Sequence, residues 1–208
     1  MALWIILTVV AGYLLGNLNG AVCVSKLMGD DVRNHGSGNA GLTNFIRNYG
    51  PGRSITVILM DAGKAVAACL LGGFLLKGEL GDFQSGAAIG GAAVMLGHVF
   101  PVFLRFRGGK GILSGLFIAI TVDWRVALLI LAVFAVAYFS TRYVSLGSVL
   151  AAITFGIGFG VLHHDNLIVM LCGIFMSLLA TFMHRQNIVR LLKGNERKTN
   201  LFKKEKKD

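Results

Sequence analysis

Long apolar runs, broken by short polar segments, set the pattern of the chain. Crossing a bilayer takes roughly 20 mostly apolar residues in a helix. Seven stretches approach that length: 3–24, 54–76, 85–104, 111–121, 124–138, 144–162 and 167–183. The fourth is short, which suits a tilted, partial or re-entrant helix, and the fifth is also on the short side. Proline occurs only twice, so uninterrupted helices are expected, because proline is the residue that most often breaks them. The first run lacks a basic segment before it and a small-x-small cleavage site leading into a soluble domain after it. It therefore reads as a first span, not a signal peptide. The expected fold is all-α, a polytopic integral membrane protein of about seven transmembrane helices. It forms one domain over residues 1–208, with a basic tail from about 184–208.

Composition strengthens this reading. Only 14% of residues are charged and 55% are hydrophobic, against roughly 25% charged in soluble domains. So few charges cannot clothe a soluble surface, and lipid must solvate much of the chain. The 28 glycines suit helices that pack backbone to backbone. Basic residues are distributed unevenly. Lys26, Arg33, Arg47 and Arg53 follow the first span, Arg105, Arg107 and Lys110 the third, and Arg142 the fifth, while the tail carries nine more. Only Lys77 and Arg125 fall on the other side, and Lys64 lies inside a span. The positive-inside rule then puts the N-terminus out and the C-terminus in, which requires the short fourth span to cross. The net charge of +10 fits this asymmetry and equally an anionic substrate. Nucleic acid is not an expected partner. Cys23, Cys69 and Cys172 sit in apolar stretches without ligand spacing and read as free and structural.

Three polar segments on the basic side carry candidate chemistry. The first runs from Asp31 to Arg47, DVRNHGSGNAGLTNFIR, and is too rich in Gly, Asn, Ser and Thr for a helix interior. Gly36, Gly38 and Gly41 let backbone N–H groups approach a ligand. Ser37, Asn39, Thr43 and Asn44 add polar groups, and Arg33 and Arg47 add charge. Such a loop can cradle a phosphate without a P-loop motif. The second is GHVFPVFLRFRGGKG, with His98 and Arg107 leading to Gly108, Gly109, Lys110 and Gly111. A glycine-rich turn at a helix start, with an ammonium beside it, is a second anion site. The third is HRQNIVRLLKGNE. On a helix His184 and Asn187 share a face, Arg185 and Arg190 equally suit membrane-interface anchors, and Glu196 can orient a base or pair with an arginine. Asp61 and Lys64, three apart inside a span, must pair, line a polar cavity, or both. Ser145 and Ser148, one turn apart, can face the same cavity or bond their own backbone.

Order, spacing and length of these segments resemble the PlsY-type bacterial acyl-phosphate:glycerol-3-phosphate acyltransferases over essentially the whole chain, with DAGKA at Asp61 and VSLGS at Val144 in support. Small departures are Leu42, where the family often has Ala, and Gln186, where an acid is common. The resemblance implies a seven-helix fold in the bacterial plasma membrane with its site facing the cytoplasm. It implies transfer of a fatty acyl group from acyl-phosphate to the 1-position of sn-glycerol 3-phosphate, giving lysophosphatidic acid and phosphate at the first step of phospholipid synthesis. The donor would be handed over by an acyl-phosphate-forming enzyme. By family analogy Gly108 to Gly111 hold glycerol phosphate and the first segment holds the donor's phosphate. The resemblance also implies that His184, Asn187 and Glu196 would be needed for activity.

The roles that the resemblance implies make Ser37, Arg33, His184, Asn187 and Glu196 the catalytic candidates. They make Ser37, Gly38, Asn39, Gly41, Thr43, Asn44 and Arg47 the donor-binding set. They make Arg107 through Gly111, His98, Ser145, His184 and Asn187 the acceptor-binding set, with Asp61, Lys64, Ser148 and Arg185 in support. No GxSxG occurs and no cysteine lies in the polar loops, so an acyl-enzyme is not favoured. The base is either His184 or a phosphate oxygen of the donor, and substrate assistance is the preferred reading. No cofactor or metal is expected, and a monomer is compatible with the sequence. The rival class is a small anion or phosphate transporter, which would place its polar groups near the midplane in repeated halves; here they crowd one end of the spans.

Overall fold

The computed structural model describes residues 1–198; Lys203, Lys204, Lys206 and Lys207 of the expected basic tail lie outside the described residues. The described chain is all-α. Its helices are α1 (Ala2–Gly16), α2 (Gly20–Leu27), α3 (Leu42–Tyr49), α4 (Ser54–Leu80), α5 (Phe83–Val99), α6 (Ile112–Val122), α7 (Trp124–Thr141), α8 (Val144–Leu162), α9 (Leu167–Met183) and α10 (Arg185–Leu192). Four of the helices are long and apolar enough to cross a bilayer, and six spans result if each bent pair counts as one. With 11 residues, α6 is about 16 Å long at 1.5 Å per residue, roughly half the hydrocarbon thickness.

Two expectations are corrected. The first apolar run is not one continuous helix, since α1 and α2 meet at 42°; the last run is α9 as expected, and α10 leaves its end at 55°. Neither break contains proline. Asn17 and Asn19 make the first. The Asn19 side chain accepts from Val22 N and so starts a new helix, as Asn does at an N-cap. The second correction concerns the segment from Asp31 to Arg47, which was expected to be non-helical. Its end, from Leu42, belongs to α3, with Gly41 as the N-cap, because the glycine cluster ends there and Leu42, Phe45 and Tyr49 face a small apolar core.

Glycine lets α5 sit at the centre of the bundle. A Cβ at Gly97 would lie 2.1 Å from Tyr13 O on α1, and one at Gly90 2.1 Å from Ala68 O on α4. Backbones this close gain dispersion contacts that lipid cannot compete for. On its other sides α5 meets α6 and α9, and α7, α8 and α9 pack in sequence. Large apolar side chains such as Phe74, Val136 and Ile157 point outward, the arrangement expected when lipid is the solvent. At one end of the bundle, helix caps form two polar clusters. Asp82 caps α5 and bonds Ser85, which also meets Asn166, the cap of α9. Asp123 caps α7 and holds Arg125 and His163. The other end is built from the three polar segments.

Candidate active site

The first segment is folded by its own side chains. Asp31 caps a 3-10 turn, Val32–Asn34, and grips the Arg33 guanidinium at 2.6 Å; this contact holds the Asp31 carboxyl down at about 2. Arg33 also reaches Leu104 O at 3.4 Å, tying this segment to the second. Asn44 is the hub. Its amide lies 3.0 Å from the carbonyls of Val32, His35 and Asn39, and its oxygen accepts from Ser37 N at 3.0 Å. The turn around it needs left-handed backbone at Gly36, φ +58°, where a Cβ would also strike Asn44 Oδ1 at 2.4 Å.

The second segment folds back on the end of α5. Gly109 N donates to His98 O at 3.1 Å. Side chains at Gly108 and Gly109 would collide with His98 O and His98 Nε2 at 2.0 and 2.2 Å. Two glycines are therefore what allows the turn to lie on His98. Lys110 then points inward and Gly111, in the left-handed region at φ +83°, starts α6. Lys110 Nζ donates to Asn187 Oδ1. Burial, with Arg190 nearby, lowers the Lys110 ammonium to about 8.

The third segment supplies the remaining groups from the break between α9 and α10. His184 Nδ1 lies 2.8 Å from Ala180 O; a carbonyl only accepts, so the proton is on Nδ1 and Nε2 is bare. Burial pulls the His184 imidazole down to about 4, leaving it neutral near pH 7. One turn on, Asn187 donates to Glu196 Oε1 at 3.2 Å, and Arg190 Nε donates to Glu196 Oε2 at 2.8 Å. Glu196 thus pairs with an arginine and orients Asn187.

These groups meet in one cavity of about 540 Å³. Its polar wall includes Ser37, Asn39, Gly41, Thr43, Asn44, Arg47, Asp61, His98, Lys110, Gly111, His184, Asn187 and Glu196. It continues between α6, α7 and α8 past Ser145 and Ser148 into apolar surface formed by Leu113, Leu116, Ile130, Leu131, Phe134 and Ala151. Ser145 Oγ is buried there without a partner among the described residues, a donor left over for a ligand. Among the described residues, Arg33, Gly38, Lys64, Arg107, Gly108, Gly109 and Arg185 stand outside the wall. Arg33 is occupied by Asp31, Arg107 is exposed, and Gly108 and Gly109 shape the turn. Asn44 reaches the cavity, but its amide donors are spent on the loop. Arg190 was missed as a site residue; its signal was the three-residue spacing from Asn187, which sets both on one side of a helix.

A family model described as glycerol-3-phosphate acyltransferase matches residues 6–194. A glycerol-3-phosphate acyltransferase of Thermoanaerobacter sp. (strain X514) is 38% identical, covering 94% of this chain and 96% of its own. One from Shouchella clausii (strain KSM-K16) is 36% identical over 95% and 97%. The crystal structure of PlsY (YgiH), an integral membrane glycerol 3-phosphate acyltransferase, is similar in its glycerol 3-phosphate form at a TM-score of 0.84. It has 33% identity and covers 94% of this chain and 96% of that one. The lysophosphatidic acid form gives 0.82 at 32% identity, covering 95% and 96%.

Proposed function

The chain belongs to the glycerol-3-phosphate acyltransferase family, and from that premise we propose that it moves a fatty acyl group from acyl-phosphate to the 1-hydroxyl of sn-glycerol 3-phosphate. It is a membrane-embedded acyltransferase of the PlsY type. The observation that carries the finer reading is the cavity, polar and cation-lined at one end and apolar at the other. An amphiphilic donor fits along it with its phosphate among Ser37, Thr43 and Arg47 and its chain between α6, α7 and α8. The acceptor's phosphate fits Lys110 and Arg190 at the start of α6, where helix N–H groups add positive potential. The basic residues crowd this end, which supports a cytoplasmic site in a bacterial plasma membrane with the N-terminus outside. Seven crossings follow if α6 spans with local help.

The acceptor oxygen attacks the acyl carbonyl, the carbon–oxygen bond to phosphate breaks, and inorganic phosphate leaves. Acyl-phosphate is a mixed anhydride and needs no covalent relay. Aligning two bound substrates can supply up to about 7–11 kcal/mol in ideal cases. The hydroxyl proton goes to a donor phosphate oxygen. His184, with its imidazole near 4, is a weak base. A phosphate dianion, whose conjugate acid has a pKa of about 6, is stronger. Bare Nε2 of His184 suits a hydrogen-bond acceptor that aims the hydroxyl, and Asn187 is held for the same task by Lys110 and Glu196. The test is phosphate release from palmitoyl-phosphate by the purified full-length protein in detergent, with and without sn-glycerol 3-phosphate and with excess EDTA. Acceptor-dependent release that yields lysophosphatidic acid and ignores EDTA is expected. No release from protein that still binds glycerol 3-phosphate would overturn the reading in favour of a carrier.

A further inference from the structure

Asp61, in the polar wall, and Lys64, behind it, are buried in α4, and their partners belong to three other parts of the chain. Lys64 Nζ lies 2.8 Å from Asp61 Oδ1, 2.7 Å from Leu18 O, 3.2 Å from Gly16 O and 2.8 Å from His98 Nδ1. Asp61 Oδ1 accepts from Gly20 N at 3.2 Å. The pair therefore closes the first helix break with matching charge: the cation takes the loose carbonyls at the end of α1, and the anion takes a loose N–H at the start of α2. Asn19, inside the same break, donates to Ala40 O at 3.0 Å, so the break is tied to the first polar segment. Ala40 O is also 3.1 Å from where a Gly109 Cβ would stand.

We propose that Lys64 is a positioning residue that fixes His98 in one tautomer, with its proton on Nε2, and thereby presents a neutral donor to the acceptor's phosphate beside the Gly108–Gly109 turn. Three of the four atoms around Lys64 Nζ are oxygens that only accept, so the amine keeps all three hydrogens, shared among its four partners, and carries its charge. An ammonium has no lone pair to accept with, so at 2.8 Å Lys64 donates to Nδ1, and Nδ1 carries no hydrogen of its own. The Asp61 carboxylate at 3.7 Å is beyond hydrogen-bond range of that nitrogen. The ring proton then sits on Nε2, on the edge that abuts Gly109, in a residue that forms part of the cavity wall. The same contacts hold the two anion loops at one separation, through Asn19 to Ala40 on one side and His98 to Gly109 on the other.

The test reads the tautomer directly. The full-length protein in detergent is labelled with nitrogen-15 at histidine, and the His98 signals are identified by their loss in His98→Gln. The expected spectrum has an unprotonated Nδ1 and a protonated Nε2 from pH 6 to 8, and the Nε2–H signal moves on adding sn-glycerol 3-phosphate. In Lys64→Met the two tautomers mix, and the KM for glycerol 3-phosphate rises about 10- to 100-fold, the size expected for losing a hydrogen bond to a charged group. The fall in kcat is smaller. Lys64→Gln, which can still donate to Nδ1, recovers part of both. A proton on Nδ1 in the wild-type spectrum, or an unchanged tautomer and KM in a Lys64→Met protein that elutes and melts normally, overturns the proposal. Should Lys64→Met not fold, the wild-type spectrum alone decides. The kinetic part rests on the acyltransferase reading above. If that reading fails, wild-type turnover is absent while the spectrum stands, whereas failure here alters the spectrum and leaves turnover intact.

Discussion

At the first break the chain bends by 42° after Gly16, and at the last it bends by 55° at His184. Both interruptions free backbone groups that lipid cannot satisfy. At the first, partners come from the protein itself. Lys64 takes Gly16 O and Leu18 O, Asp61 takes Gly20 N, and Asn17 Oδ1 accepts from Phe103 N at 3.1 Å. At the last, His184 is anchored through Nδ1 to Ala180 O, while Nε2 stays bare in the cavity wall beside Lys110 and Asn187. A break whose polar groups are all matched internally is scaffold. A break that leaves groups unmatched toward a cavity is where a substrate completes the bonding. Removing parts of the first should therefore cost chiefly stability, with Lys64 reaching acceptor binding only through His98, and removing parts of the last should cost rate.

The sharpest way to break this contrast is to mutate one charge on each side. Asp61→Ala strands a buried ammonium, and losing one partner of a buried pair costs about 3–5 kcal/mol. The expected result is little folded protein or a large drop in melting temperature. Lys110→Met should melt near wild type and lose about 10²–10³ in kcat/KM for glycerol 3-phosphate, the scale for removing a preorganised charge-stabilising donor. Thermal melts and steady-state kinetics on both proteins check this; a stable Asp61→Ala enzyme or an unfolded Lys110→Met would erase the distinction.

His184→Gln measures what the open break contributes to chemistry. Glutamine can still accept a hydrogen bond, so with the donor phosphate as base the loss in kcat should be about tenfold, one hydrogen bond's worth. A loss of 10²–10⁴, the range for a general base, with acceptor binding unchanged, would make His184 the base instead.

The helices were legible because lipid imposes a long hydropathy signal, and the three polar segments were legible because glycine, arginine and histidine cannot sit unmatched in hydrocarbon. The first break was not. Asn17 and Asn19 are two polar residues in a long apolar run, and without proline nothing local forecasts a bend. The Asp61–Lys64 pair followed from their spacing, but its bonds to Gly16, Leu18 and His98 join residues 34 to 48 apart in sequence. Asn44 and Thr43 look alike as donors in sequence. Only the fold turns the Asn44 amide inward onto three loop carbonyls, and only the fold turns Arg33 to Asp31.

A milder test uses pH. Burial holds Lys110 at about 8, so its charge is present below that pH and lost above it. The KM for glycerol 3-phosphate should rise as pH passes about 8 in the free enzyme. Lys110→Arg, which keeps its charge, should remove that rise even if its baseline affinity is lower. A flat KM between pH 7 and 9 in wild type would detach Lys110 from the acceptor.

The smallest effect is expected one residue past His184. Arg185 adjoins the candidate catalytic histidine in sequence, yet each helical residue turns about 100°, and its side chain leaves the site. It is exposed, lies over the Phe182 ring at 4.4 Å and donates to Phe182 O at 3.2 Å. An exposed cation–π contact is worth about 0.5–1 kcal/mol. Arg185→Ala should therefore lower the melting temperature slightly and leave kcat and both KM values within about twofold, since surface changes stay within about 0.5 kcal/mol where no such contact is lost. If Arg185→Ala instead raises the KM for either phosphate substrate tenfold, the charge field of the whole cavity mouth, and not the groups bonded inside it, governs binding. The contrast between the two breaks would then have to be redrawn around net positive potential.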